Sequence, residues 1–324
     1  MNYVHNMTNS RIRNRASHRV WLAIFAALFL YGRSDAQETS STSPTQIWMC
    51  SLDLQTSQST KLFQITHLAS VGSPSLSSDR QHIAFEGALP GAQPTSDSHV
   101  WVCNIDGSEM QDLGPGAMPT WSPRGKRIAF CKHSPEHGVW VMQADGSHQQ
   151  LIDEAGWCAQ WSPNGNMIAY TRRVNKAADF VVFNLVEDEF FPVFGDGSSG
   201  YTSFYWNFAW SPDSKRLCFK GQGPNSEIHV ASVAVHNGLD LQVHLRGNDT
   251  IRADFAWVDT NTVAFTLSSA EHEPNKLVTV QTNVQQRGVE SAPQPIAGQL
   301  QNHANGSPAV STDGRTLIYI SRLK

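Results

Sequence analysis

The chain has 324 residues with 24 Lys and Arg against 28 Asp and Glu, and its charged fraction of 16% is low beside the roughly 25% of an average globular domain. Its first 36 residues hold five arginines and one aspartate, so the remainder carries 19 bases against 27 acids and lacks the basic surface that nucleic acid or anionic lipid would require. An apolar share of 40% with ten tryptophans excludes coiled coil and disorder, and the stretch beyond position 36 is long enough for a large core.

Residues 1–36 have the three parts of an export signal. Arg11, Arg13, Arg15 and Arg19 precede an apolar run from Val20 to Tyr31, and the small side chains of Ser34 and Ala36 stand before Gln37. That run is well short of the roughly 20 residues a helix needs to cross a bilayer, so cleavage after Ala36 is expected rather than a membrane anchor. Residues 37–45 read as a flexible spacer. The mature chain is expected outside the cytoplasm, periplasmic or secreted, without stable membrane insertion and monomeric.

From position 46 the sequence is dominated by one recurring phrase. It reads PSLSSDRQHIAF from Pro74, PTWSPRGKRIAF from Pro119, AQWSPNGNMIAY from Ala159, FAWSPDSKRLCF from Phe208, FAWVDTNTVAF from Phe255 and PAVSTDGRTLIY from Pro308. The aligned residues Ser77, Ser122, Ser162, Ser211, Val258 and Ser311 are 40 to 53 residues apart. That spacing, with aromatic and β-branched residues broken by turn residues, fits a four-stranded unit rather than a helical hairpin. Within each copy a short strand such as Thr120 to Ser122 meets a turn, and a second strand carries three apolar residues in succession, Ile128, Ala129 and Phe130. Such a run needs both strand faces covered. The small middle residue (Ala84, Ala129, Ala169, Cys218, Ala264) would let a neighbouring sheet approach closely. A third strand comes next, at HVWVCNIDG and GVWVMQADG, turned by Asp-Gly, and then a fourth.

Four antiparallel strands repeated radially predict an all-β, six-bladed β-propeller over residues 46–324, because ring closure removes long open sheet edges. The last copy supplies two strands only, while QIWMCSLD from Gln46 and TKLFQITH from Thr60 match strands three and four. The sixth blade is therefore expected to combine both ends of this segment. The phrase P-x-W-S-P-D-G-x-x-I-A-F followed by I-W-V-M-x-x-D-G resembles the WD40-like repeat of the propeller in TolB-type periplasmic proteins, across essentially the whole of residues 46–324. That resemblance implies the fold and an exported setting. The fifth copy departs from it by losing its Ser-Pro, and no α/β domain like that of full TolB proteins stands ahead of the repeats.

Function in a propeller usually lives on loops at one rim. The longest connection, Gly195 to Phe208, is aromatic, with Tyr201, Phe204, Tyr205, Trp206 and Phe208. With Trp157, Arg172, Arg173 and Arg252 on the same face, Tyr201, Tyr205 and Trp206 are the candidate binding residues, of types that stack on sugars or anchor protein partners. Lys220, Asp254, Glu136, His133 and His137 belong to that face as well. His133 and His137 have a metal-like spacing, but Ser134, Pro135 and Gly138 put them on a loop where i,i+4 has no helical meaning. Glu271, His272 and Glu273 occupy another such loop. Gly-x-Ser-x-Gly, phosphate-loop and dinucleotide motifs do not occur in the sequence, and neither catalytic residue, cofactor nor metal is expected. Asn248 and Asn305 head Asn-x-Ser/Thr triplets. Of the five cysteines, Cys131 and Cys158 fall at adjacent blade ends, where either a bridge or two buried thiols would fit. The reading is an exported module that presents its loop face to a protein or a cell-envelope glycan; the alternative is a glycan-cleaving or metal-dependent enzyme on the same face.

Overall fold

The computed structural model describes residues 47–323 apart from 66, 94–95, 175–176, 196–198, 206, 237, 239, 269–273 and 283–291. The signal segment and the whole of the spacer lie outside the described residues, as do Trp206, Glu271, His272 and Glu273. Among the described residues every regular element is a strand. β1 (Ile47–Asp53) and β2 (Gln58–Ile65) come first. Blade 1 is β3 (Ser70–Leu76), β4 (His82–Ala88), β5 (His99–Asn104) and β6 (Gln111–Pro115). Blade 2 is β7 (Ala117–Trp121), β8 (Arg127–Lys132), β9 (Gly138–Gln143) and β10 (Gln150–Asp153). Blade 3 is β11 (Trp157–Trp161), β12 (Met167–Val174), β13 (Ala177–Asn184) and β14 (Glu189–Pro192). In blade 4 the inner strand is interrupted, as β15 (Ser203–Phe204) and β16 (Ala209–Trp210), and pairs with β17 (Arg216–Gln222), followed by β18 (Ile228–Ala234) and β19 (Leu241–Gly247). Blade 5 is β20 (Ile251–Asp259), β21 (Thr262–Leu267), β22 (Lys276–Gln281) and β23 (Gln294–Pro295). Blade 6 takes β24 (His303–Val310) and β25 (Thr316–Leu323) from one end of the propeller and β1 and β2 from the other, in the order β2-β1-β25-β24.

The inner strands contact one another in sequence around a central channel, and β24 returns to β3. Closure is made by β1 on β25, antiparallel and without a register shift from Ile47 opposite Arg322 to Asp53 opposite Thr316. The fold is thus an all-β, six-bladed propeller with its last blade shared between the two ends of the repeat region, as the phrase pattern predicts.

The phrase has a hydrogen-bonding logic. In five blades the serine hydroxyl accepts the backbone N–H that begins the second strand: His82 and Arg127 at 2.9 and 3.1 Å, and Met167, Arg216 and Thr316 at 2.9 to 3.0 Å. Where Asp or Asn stands two residues on, that hydroxyl also donates to it, as from Ser211 to Asp213 at 2.6 Å. The third turn residue is left-handed, which Gly165 (φ 78) meets without strain and Ser214 (φ 60) meets at a cost. The blade with Val258 lacks the hydroxyl, and Asp259 turns its chain by accepting the N–H of Asn261 at 2.7 Å. The small middle residues Ala84, Ala129, Ala169, Cys218 and Ala264 are fully buried between neighbouring blades.

One expectation is corrected, and the two readings of Cys131 and Cys158 are decided. The connection from Gly195 to Phe208 is not one long loop, since Ser203 and Phe204 pair with Gln222 and Gly221 and belong to the inner strand. All five cysteines are free and buried, so Cys131 and Cys158 are the two buried thiols rather than a bridge.

Removing residues 46–68 takes away β1 and β2, exposes the length of β25 and deletes the buried side chains of Ile47, Met49, Cys50, Leu52 and Ile65. At about 2 kcal/mol for each large apolar side chain, the truncated chain is expected to lose cooperative unfolding, or to melt roughly 10 °C or more below the intact one, by circular dichroism. Equal melting temperatures would contradict closure through β1.

Candidate functional site: the central channel

Each inner strand breaks its register at the same level. The shifts fall between Gly72 and Ser75, Ala117 and Thr120, Trp157 and Gln160, Ile251 and Phe255, and Gly306 and Ala309, and in blade 4 the gap between β15 and β16 takes their place. Five residues at this level have left-handed backbones without being glycine: Ser73, Met118, Cys158, Asn207 and Ser307, with φ between 46 and 69°. Asp254 holds the matching place in blade 5. A left-handed non-glycine residue costs on the order of 1 kcal/mol, and such strain persists only where its surroundings impose it.

A bulge leaves backbone groups without ladder partners, and buried groups of that kind must be satisfied elsewhere. Here the neighbouring blade supplies the partner. Glu86 of β4 accepts the Met118 N–H of blade 2 through Oε2 at 2.9 Å. Cys131 Sγ of blade 2 accepts the Ala159 N–H of blade 3 at 3.3 Å, and Cys158 Sγ accepts the Asn207 N–H of blade 4 at 2.8 Å. Asn207 Nδ2 donates to Asp254 Oδ1 of blade 5 at 2.6 Å, and Lys220 Nζ donates to the Ile251 carbonyl at 2.6 Å. Ser307 Oγ of blade 6 donates to Asp254 Oδ2 at 3.2 Å, and an Arg322 guanidinium N–H donates to the Val71 carbonyl of blade 1 at 3.2 Å. These bonds form a girdle at the waist of the channel.

On the turn side of the waist lies a cavity of about 230 Å³ lined by all six inner strands, with Asp254, Asn207 and Ser307 at its inner end. Its mouth lies among the turns between first and second strands, beside Ser78, Pro123, Pro163, Pro212 and Thr312. Trp121, Trp161, Trp210 and Trp257 line the wall and are more than nine-tenths buried. Two of them are held across blade boundaries: Trp210 Nε1 donates to the Gln160 carbonyl at 3.0 Å and Trp257 Nε1 to the Ala209 carbonyl at 3.1 Å.

Two carboxylates, Glu86 and Asp254, accept hydrogen bonds at this waist. Burial, together with the Asp254 charge, pushes Glu86 from 4.5 to about 7, although the Met118 N–H works against the rise. Burial raises Asp254 as well, opposed by its bonds from Asn207 and Ser307 and by the charges of Arg252 and Arg322. The same environment lifts the Cys158 thiol to about 12, which keeps it protonated and unreactive.

The residues expected on the loop face are placed variously. Tyr201 is buried, with its hydroxyl at 3.1 Å from His229 Nδ1 and its ring against Phe219. Gly221 lies under that ring, where a Cβ would come within 2.6 Å, so glycine is required for the tyrosine to lie flat. Trp157 is also buried, between the rings of His133 at 4.8 Å and His137 at 5.4 Å, so those histidines pack on an indole rather than standing free in solvent. Burial and the neighbouring His137 lower His133. Among the described residues no group of three His, Cys, Asp or Glu is arranged to hold a metal ion.

Tyr205 is half-buried and covers the Lys220 ammonium at 4.0 Å, where burial lowers that lysine to about 8. Arg172 is exposed and paired with Asp153 at 2.9 Å. Arg252 is half-buried and donates to Ser268 Oγ at 3.1 Å. Arg173 lies in β12, its side chain outside the described residues. Asn248 is exposed, whereas Asn305 is buried and held by Leu300 and Ser321. The loop face therefore offers Arg172, Tyr205 and Arg252 to solvent, and the cavity opens on the opposite face.

Because Tyr201 is a packing residue, Tyr201→Ala is expected to cost about 3 kcal/mol of stability and Tyr201→Phe about 1 kcal/mol, read as shifts of the urea midpoint. A Tyr201→Ala variant as stable as the parent would contradict this packing.

No protein-family model and no curated protein sequence matches the chain. Solved structures do. A candidate TolB from Agrobacterium tumefaciens superposes with a TM-score of 0.62 at 12% identity, over 87% of this chain and 100% of that one. TolB from Acinetobacter baumannii gives 0.55 at 15% identity, over 99% of this chain and 72% of that one. An oligogalacturonate lyase in complex with manganese gives 0.50 at 14% identity, over 71% and 70% of the two chains. At such identities the likeness is one of fold, and the fold is that of a TolB-like six-bladed β-propeller.

Proposed function

We propose that this chain is an exported binding module whose ligand, a segment of a protein partner, enters the central channel from the turn face. The observation that carries the reading is the cavity itself. It has contributions from all six blades, an indole-lined wall and a polar floor at Asn207, Asp254 and Ser307. Protein ligand sites are concave and finished by a few convergent polar groups, and this cavity joins indole walls to polar lining in comparable share. Its wall and floor are fixed by bonds between blades, so a ligand would find the site formed in advance and lose little affinity to ordering it. The loop face, with Arg172, Tyr205 and Arg252, gives a second surface that a larger partner or a glycan could cover. The exported setting is supported by the arginine-rich, apolar and small-residue parts of residues 1–36.

Ser78 and Thr312 stand at the mouth, Ser78 half-buried and Thr312 exposed. Replacing both with Trp narrows the entrance without touching the girdle. The folded double variant is expected to melt within about 2 °C of the parent, because surface changes are usually within ±0.5 kcal/mol. Its affinity for a partner isolated from the exported fraction should fall about tenfold or more, a loss of roughly 1.4 kcal/mol, measured by calorimetry against a glycan array run in parallel. Unchanged affinity, or capture of a glycan by the loop face alone, would move the site away from the channel.

A further inference from the structure

Among the described residues that line the cavity, one side chain is charged, Asp254 of β20, and it stands at the inner end. It keeps partial exposure there, and among the described residues no Lys, Arg or His forms an ion pair with it. Arg252 and Arg322 act on it from beyond ion-pair distance and do not line the cavity. Each also bonds elsewhere, Arg252 to Ser268 Oγ at 3.1 Å and Arg322 to the Val71 carbonyl at 3.2 Å. The direction of the hydrogen bonds at the floor adds to the effect of charge. Asn207 Nδ2 donates to Asp254 Oδ1 at 2.6 Å and Ser307 Oγ donates to Oδ2 at 3.2 Å, so these hydrogens point at the carboxylate rather than into the cavity. A carboxylate has about four acceptor sites, and Asp254 therefore has room for further donors. Asn207 Oδ1 receives a weak donor, the Cys158 thiol at 3.7 Å. The floor thus presents acceptors, and the wall above it holds Trp121, Trp161, Trp210 and Trp257, the aromatic type that best attracts a cation.

We propose that the cavity is a receptor for a basic side chain: a Lys or Arg on the entering segment passes the indoles and sets its ammonium or guanidinium on Asp254. This selectivity rests on the channel being the ligand site and adds the chemistry by which a segment is chosen. Charge-assisted hydrogen bonds are roughly twice as strong as neutral ones, and a cation with three to five N–H donors matches a floor whose own donors are already engaged. Leaving water costs a cation several kcal/mol unless an opposite charge and hydrogen bonds meet it, and Asp254 with Asn207 Oδ1 beside it supplies both. An Asp or Glu at the same point of the segment would bring two like charges together in a confined space, so the carboxylate that accepts a basic segment also rejects an acidic one. A neutral segment of the same shape would enter but forgo the charge-assisted bonds.

The test uses the full mature chain and four blocked tripeptides, N-acetyl-Gly-X-Gly-amide with X as Arg, Lys, citrulline or Glu, titrated at fixed ionic strength and followed through the indole N–H signals by NMR. Citrulline has the shape of arginine without its charge. The Arg and Lys peptides are expected to bind about tenfold or more tightly than the citrulline peptide, and the Glu peptide more weakly still. Asp254→Asn keeps an acceptor for Asn207 and removes the charge, and it should reduce the preference for Arg over citrulline to about threefold or less. If that variant folds poorly, the mouth variant with Trp at positions 78 and 312 answers instead, since it leaves Asp254 in place and should weaken the Arg peptide about tenfold. Equal binding of the Arg and citrulline peptides by the parent overturns the proposal, as does a preference for Arg that a folded Asp254→Asn chain retains or that the mouth variant leaves unchanged. The two readings fail separately. A partner whose affinity falls in the mouth variant, with no preference for a basic peptide, would sink the selectivity and leave the channel as the site. A basic peptide that depends on Asp254, with a partner indifferent to the mouth variant, would sink the functional reading alone.

Discussion

A buried backbone group must have a partner, and in this propeller that requirement falls hardest on the six inner strands. Each breaks its ladder at the same level, which frees the strands to converge around a channel but orphans backbone groups near the axis. Almost every contact that joins one blade to the next at this level is an answer to that requirement. The bonds of Glu86, Cys131, Cys158, Lys220 and Arg322 share that purpose and little else chemically. Outside the girdle, the core is held by a different and more uniform means, small residues in the second strands and indoles laid across blade boundaries.

That difference explains how much of the molecule is legible in its sequence. The turn serine, the left-handed turn position and the small middle residue do the same work in nearly every blade, so they recur at a fixed place in the phrase and reveal blade number and closure. The girdle performs a shared task with unlike side chains, so it produces no recurrence. The residue after the aromatic of the second strand runs Glu86, Cys131, Thr171, Lys220, Thr266 and Ile320. Only the acid and the lysine in that column, set where their counterparts are neutral, hint that something other than packing occurs there. Asp254 is legible as a candidate, but as a loop-face residue; its role as an acceptor for two neighbouring blades depends on a bulge that no local pattern announces.

The aromatic segment before Phe208 shows the converse limit. Its composition suggests an exposed anchor, and the same composition is what a strand needs to fill the space between two blades. Phe204, Phe180 and Phe194 stack there, with Tyr201 closing the cluster. Aromatic side chains are favoured both at interfaces and in cores, and only the partner strand on Gly221 and Gln222 decides between them. The face on which the channel cavity opens is the one with the plainest sequence, where Pro, Ser, Asp and Gly recur as turns.

The pairing of β1 with β25 also sets how the ring can be assembled. Ile47 meets Arg322 and Asp53 meets Thr316, partners 275 and 263 residues apart in the chain, whereas within a blade the strands pair over tens of residues. Chain-closure entropy grows only with the logarithm of loop length, so this long-range seam costs about 3 kcal/mol more than a short hairpin. The kinetic consequence is larger than the thermodynamic one, since contacts between such distant segments cannot form until both are free to diffuse together. Blades 1 to 5 are each contiguous and can mature locally, while the sixth is a rendezvous. Until it is made, the apolar edge of β24 and β25 is open, and the ring behaves as an arc whose last step decides whether it becomes a closed wheel or an aggregation template.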